Sequence, residues 1–167
     1  MLNSLRDTIE LYKGEKMDIE DLKFSCGIPG TVTMQRLGIK CVEEACAIWD
    51  ENLVKYRHAI RPFPGVENML KRLHDKGKQL GIITSKTRKE YIDDFLPLGL
   101  GDYFGTVVCV DEVSEPKPSA ASMFKYMELT GAAVADIIYV GDTVYDEQCA
   151  KVAGVSFLLV QRPLVSL

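Results

Sequence analysis

The sequence predicts an α/β protein, a doubly wound parallel sheet preceded by a small helical unit. Three observations point there. Residues 1 to 60 repeat apolar side chains at helical spacing and contain no convincing strand. After the breaker Arg61-Pro-Phe-Pro-Gly65, short apolar runs alternate with amphipathic stretches, the grammar of a parallel sheet wrapped by helices. Hydroxyls, a lysine and paired acids follow successive strands, where such sheets hold ligands. The expected organisation is a helical unit over 1–60 and an α/β core over 61–167.

In the first part, Leu2, Leu5, Ile9 and Tyr12 form one stripe, stopped by Gly14. Asp18 can cap a short helix through Phe24, ended by Gly27-Ile-Pro-Gly30. A third helix runs from Thr31 to Leu37. A longer one carries Val42, Ala45, Cys46, Trp49, Leu53 and Tyr56 on one face.

In the second part, Val66, Met69, Leu70 and Leu73 mark a helix that closes at Lys76-Gly77. Leu80 to Thr84 reads as a short buried strand, and Thr87-Arg-Lys-Glu90 has capping-box spacing for the helix after it. Thr106 to Val110 is the next strand, followed by a loop through Pro116-Lys-Pro118. Ser119 can cap a helix bearing Met123, Phe124 and Met127. Ile137 to Val140 reads as a strand buried on both faces. Its helix runs to Val152 and closes at Gly154, and Val155 to Val160 is the last strand.

Composition narrows the function. A net charge of −4 and a pI near 5.3 argue against nucleic acid or an anionic membrane as the main partner. No apolar run approaches the ~18 residues that span a bilayer. Met1-Leu-Asn-Ser-Leu-Arg lacks the layout of a secretory signal. Five cysteines without C-x-x-C spacing suit a reduced, cytoplasmic setting, with most of them as small core residues. With only His58 and His74 present, a histidine-based zinc site is not expected.

Three features carry chemistry. Thr84 and Ser85 end a strand, as phosphate-binding hydroxyls or as turn residues bonding their own backbone. Lys117 lies between two prolines, either aimed at an anion or solvated. Asp142 and Asp146 follow the strand Ile137–Val140, as Mg²⁺ ligands or as the end of a strand and the cap of a helix. Oxygen donors, a cation and paired acids at successive loops of one sheet are what phosphoryl transfer requires.

Ile82-Ile-Thr-Ser-Lys86, Lys117-Pro118 and Gly141-Asp-Thr-Val-Tyr-Asp146 resemble the second, third and fourth motifs of the haloacid dehalogenase-like hydrolases. Pro64-Gly-Val66 and Val152-Ala-Gly-Val155 are similar to further landmarks, so the resemblance covers nearly the whole chain. It is nearest to phosphoglycolate phosphatase-like and β-phosphoglucomutase-like members. The resemblance implies a four-helix cap over 1–60, a Mg²⁺-dependent phosphatase and a small phosphomonoester as substrate. Thr84 would bind the transferring phosphoryl group, Lys117 would neutralise it, Asp142 would ligate Mg²⁺ and Asp146 would support the metal shell. Cap contacts to substrate would come from the Gly27–Gly30 turn, with Arg36 and Arg61 as further anion contacts or as solvated charges.

This chain departs from the pattern in two ways. It reads Lys117-Pro-Ser-Ala120 where the family often has Lys-Pro-Asp-Pro. It also shows no Asp-x-Asp at the end of an apolar strand, the motif that supplies the nucleophile and the central strand. The resemblance therefore implies a shortened chain without meaningful turnover, whose flanking strands pair directly or accept a partner such as a second copy. A non-catalytic phosphate-binding or interaction module, and phosphoryl transfer of the β-phosphoglucomutase type, are the alternative expectations.

Overall fold

The computed structural model describes residues 1–160, so the last seven residues of the expected 61–167 core lie outside the described residues. The first part is helical throughout: α1 (Leu2–Lys13), α2 (Ile19–Leu22), α3 (Gly30–Arg36) and α4 (Val42–Val54). Gly14 closes α1 in the left-handed conformation, φ 74°, where a Cβ would be strained. Asp18 caps α2 by accepting from the Glu20 amide. Leu5, Ile9, Leu22, Met34, Leu37, Ile39 and Ala45 form the buried cluster between these helices. Two polar links pin α1 to α4: Trp49 Nε1 donates to Ser4 Oγ at 3.0 Å, and Asn52 Nδ2 donates to Thr8 Oγ1 at 3.0 Å. Tyr56 lies beyond the end of α4 and donates to Asp7 Oδ2 at 2.6 Å.

The second part alternates as expected: α5 (Val66–Asp75), β1 (Gly81–Ile83), α6 (Arg88–Asp94), β2 (Thr106–Val108), α7 (Ala121–Thr130), β3 (Ile138–Gly141), α8 (Val144–Ala153) and β4 (Ser156–Leu159). Both capping boxes that begin α6 and α8 are closed in both directions, from Thr87 to Glu90 and from Thr143 to Asp146. Ser119 is displaced from its expected place: Ala120 occupies the cap of α7, and Ser119 Oγ accepts from the Ala121 amide at 3.2 Å.

Every strand pair is parallel, but the strands form two pairs, β1 with β2 and β3 with β4. Among the described residues no strand lies between β1 and β3, and the two do not pair directly. Helices α7 and α8 pack together and cover one side, where Met123, Cys149, Ala153 and Val155 meet Ile83 and Tyr139. This corrects the expectation of strands buried on both faces. Ile138 and Val140 are 69% and 52% exposed, and their neighbour Leu158 is 55% exposed. Their composition suits burial, but α7 and α8 cover only the side that Tyr139 faces. Strand β1 is likewise only half buried. Of the five cysteines, all unpaired, Cys109 and Cys149 alone are buried, against the expectation that most would be core residues.

Side-chain bonds join the two parts. Arg57 Nε donates to Asp94 Oδ1 at 3.0 Å and Arg57 Nη2 to Asp93 Oδ2 at 3.2 Å, both on α6. Arg36 Nη1 donates to the Tyr145 hydroxyl at 3.1 Å.

Candidate functional site

The carboxyl ends of β1 and β3 open onto one cleft of about 380 Å³, roofed by α4 and the Gly27–Gly30 turn. All five residues singled out from the sequence, Thr84, Ser85, Lys117, Asp142 and Asp146, line it. A larger hollow of about 490 Å³ lies at the opposite ends of β1 and β2, beside His74 and Tyr126, and none of the five lines it.

Thr84 extends β1, its amide donating to the Val108 carbonyl at 3.0 Å. Its hydroxyl oxygen accepts from the Lys86 amide at 3.1 Å, the turn bond typical of such residues. Among the described residues its hydroxyl proton has no acceptor. Ser85 is turned toward the roof, its hydroxyl donating to the Gly27 carbonyl at 2.8 Å. Gly27 has φ 87°, and a Cβ there would lie 2.6 Å from Thr143 Cγ2. The roof therefore sits on the cleft through a residue that has to lack a side chain.

Lys117 is not a solvated turn lysine. Its Nζ donates to Asp146 Oδ1 at 2.6 Å and to the Tyr139 hydroxyl at 3.3 Å. The side chains of the pair are 8% and 6% exposed. Asp146 is saturated by the protein itself. Oδ1 also accepts from the Tyr139 hydroxyl at 2.7 Å. Oδ2 accepts from the Thr143 amide at 3.1 Å and the Thr143 hydroxyl at 2.7 Å. Burial alone would raise the Asp146 pKa. The Lys117 charge and the bonds from Lys117, Thr143 and Tyr139 outweigh it and hold the carboxyl below its ordinary value. Burial first, then the charge of Asp146 and the bond to it, push the Tyr139 phenol far up, so it stays a donor.

Asp142 is half buried at the tip of β3 and lines the same cleft. Among the described residues no group of three His, Cys, Asp or Glu side chains converges as a ready-made metal cage. One carboxylate at a strand tip, completed by substrate phosphate and water, still fits the way Mg²⁺ is usually held. Asp142 could supply such a carboxylate. Asp146 has four donors on its two oxygens and holds Lys117.

Three contributors escaped sequence reasoning. Tyr139 reads as one more residue of an apolar strand, although a tyrosine between Ile138 and Val140 signals a hydroxyl in need of a partner. Trp49 and Asp50 of α4 reach the cleft from the roof. Of the two arginines considered for anion contact, Arg36 is engaged with Tyr145 and Arg61 is exposed, and neither lines the cleft.

Comparison with known proteins agrees with this architecture. The haloacid dehalogenase-like hydrolase family model matches residues 1–160. A pyrophosphatase PpaX from Halalkalibacterium halodurans is 31% identical over 161 residues, 96% of this chain and 75% of that protein. A phosphoglycolate phosphatase from Pseudomonas syringae pv. syringae is 34% identical over 94 residues, 56% of this chain and only 35% of that protein. In structure, a hydrolase from Pseudomonas syringae superposes with a TM-score of 0.81 at 17% identity, covering 93% of this chain and 74% of that one. A HAD-superfamily hydrolase of subfamily IA from Geobacter sulfurreducens gives 0.65 at 20% identity, covering 95% and 77%. These structural likenesses speak to the fold alone, whereas the family match runs through every described residue. The chain belongs to the haloacid dehalogenase-like hydrolases.

Proposed function

We propose that this chain is a phosphatase-type member of its family whose cleft takes the phosphoryl end of a small phosphomonoester. The observation that carries the reading is the convergence of Thr84, Ser85, Lys117, Asp142 and Asp146 on one cleft. The Thr84 hydroxyl donates to a phosphoryl oxygen. Lys117 offers its ammonium to the same group, and Asp146 and Tyr139 hold that ammonium in place. Mg²⁺, when bound at Asp142, supplies charge neutralisation to the phosphoryl oxygens. The helices of residues 1–60 act as the cap over this site, and the α/β part from residue 61 acts as the core. The five unpaired cysteines support a reducing, cytoplasmic setting.

The residues lining the cleft include no Asp-x-Asp pair, and loss of a catalytic nucleophile costs on the order of 10⁶ in rate. The expected behaviour of this polypeptide is therefore phosphate binding without meaningful turnover. That is also how a non-catalytic binding module built on the same fold would behave. Calorimetry with inorganic phosphate in the presence of Mg²⁺ tests the reading. Saturable binding, weakened by Asp142→Asn, is expected; indifference to phosphate refutes it, and robust turnover abolished by Asp142→Asn would show that the chain is catalytic after all.

The separation of β1 from β3 favours one addition to this reading. Among the described residues each pairs along one edge only, and Ile138 and Val140 of β3 are exposed, which suits a strand donated by a second copy of the chain.

A further inference from the structure

The cleft has two ends of different chemistry. Thr84, Lys117 and Asp142 stand at the core end. From the roof the lining includes the apolar Ile28, Trp49 and Leu53 with Ser25 and Asp50, and α6 adds the carboxylate of Glu90. Among the described residues no arginine lines the cleft, and its two lysines are already paired. Lys117 is paired with Asp146, and Lys86 donates to Asp94 at 2.6 Å. The nearby Arg36 and Arg57 are spent on Tyr145 and on Asp93 with Asp94. Met1 also lines the cleft.

We infer that Asp50 makes the roof end selective for phosphomonoesters whose alcohol portion is neutral or cationic, bearing hydroxyl or amino groups, against those carrying a carboxylate or a second phosphate. The inference rests on the reading that the core end holds the phosphoryl group, and it adds what the other end accepts. Among the described residues Asp50 has no hydrogen bond or ion pair, so its carboxyl is available to a ligand. Glu90 is partly occupied, accepting at Oε2 from the Thr87 amide at 2.6 Å and the Thr87 hydroxyl at 2.8 Å. Burial, and next the charge of Glu90, raise the Asp50 pKa above that of a free aspartate. Asp50 is half buried and lines the cleft. An anionic tail entering there would meet two like charges, which is selection by repulsion. An amino or hydroxyl tail would donate to Asp50 while its apolar carbons lie on Trp49 and Leu53.

The test is calorimetry on the full chain at pH 7 with Mg²⁺, using inorganic phosphate, phosphoethanolamine, glycerol 3-phosphate, phosphoglycolate and pyrophosphate. Phosphoethanolamine and glycerol 3-phosphate are expected to bind about tenfold tighter than phosphoglycolate or pyrophosphate, a ratio equal to ~1.4 kcal/mol. Asp50→Asn should collapse the ratio and Asp50→Lys should reverse it. The ratio on the unaltered chain needs no variant to fold. If phosphoglycolate or pyrophosphate binds the parent as tightly as the neutral and cationic esters, this inference fails while phosphate binding survives. A ratio unmoved by Asp50→Asn removes Asp50 from the role. If neither inorganic phosphate nor any ester binds, the phosphoryl reading and this inference fall together.

Discussion

Replacing Lys117 by methionine removes one half of a buried ion pair while keeping most of its volume. Removing one partner of such a pair costs about 3–5 kcal/mol, because the other charge is left desolvated. Asp146 retains three donors, the Thr143 amide, the Thr143 hydroxyl and the Tyr139 hydroxyl, so the lower end applies, about 3 kcal/mol. The assay is urea unfolding followed by far-ultraviolet circular dichroism, with the loss read from the transition midpoint at constant slope. The same substitution made on Asp146→Asn should be neutral or stabilising, since the ammonium there is a buried charge without a counter-charge. A loss below about 1 kcal/mol in the parent, or equal losses in both backgrounds, would refute a buried and coupled pair.

Two further expectations follow from the same geometry. Because Asp146 titrates below its ordinary value when folded, its contribution is fully present above the unfolded pKa of about 3.9 and is lost as pH falls through the lower folded value. Urea midpoints measured from pH 7 to pH 2 should therefore drop on the acid side below about pH 4, with a smaller drop in Asp146→Asn. Gly27→Ala should cost more than Gly38→Ala. Both positions have positive φ, worth about 1–2 kcal/mol against a side chain. Gly27 adds a 2.6 Å encounter with Thr143 Cγ2, whereas Gly38 has open space. Equal shifts in thermal midpoint for the two variants would count against the close seating of the roof.

Local signals in the sequence were read well where they depend on neighbours in the chain. Thr87 and Glu90 stand at the spacing a capping box requires, and Gly14 and Gly154 end helices that carry no other stop. Thr84, Lys117 and Asp142 line one cleft because strand ends in a parallel sheet share one side. Burial was less legible. Ile138 and Val140 have the composition of a doubly covered strand, but coverage depends on what packs against the sheet, and α7 and α8 reach only one face. Asp146 closes the capping box of α8, as its reading as a helix cap expects, and its bonds to Lys117 and Tyr139 also make it an anchor for the lysine. The contact between Tyr139 and Lys117 spans 22 residues, beyond the reach of any periodicity. Asp50 sits one residue past the apolar Trp49, and nothing in its spacing announces that it borders a cleft.

The two apolar clusters share no residue: one is built from Leu5, Ile9, Leu22 and Met34, the other from Met123, Cys149 and Val155. Between them run charged and polar stitches, Arg57 to Asp93 and Asp94, Arg36 to Tyr145, and Ser85 to Gly27. The halves and their joint thus obey different solution conditions. Added salt screens partly exposed ion pairs such as Arg57 with Asp93 but leaves apolar packing intact or firmer. Ionic strength becomes a dial on how tightly the helical roof is held to the strands beneath it.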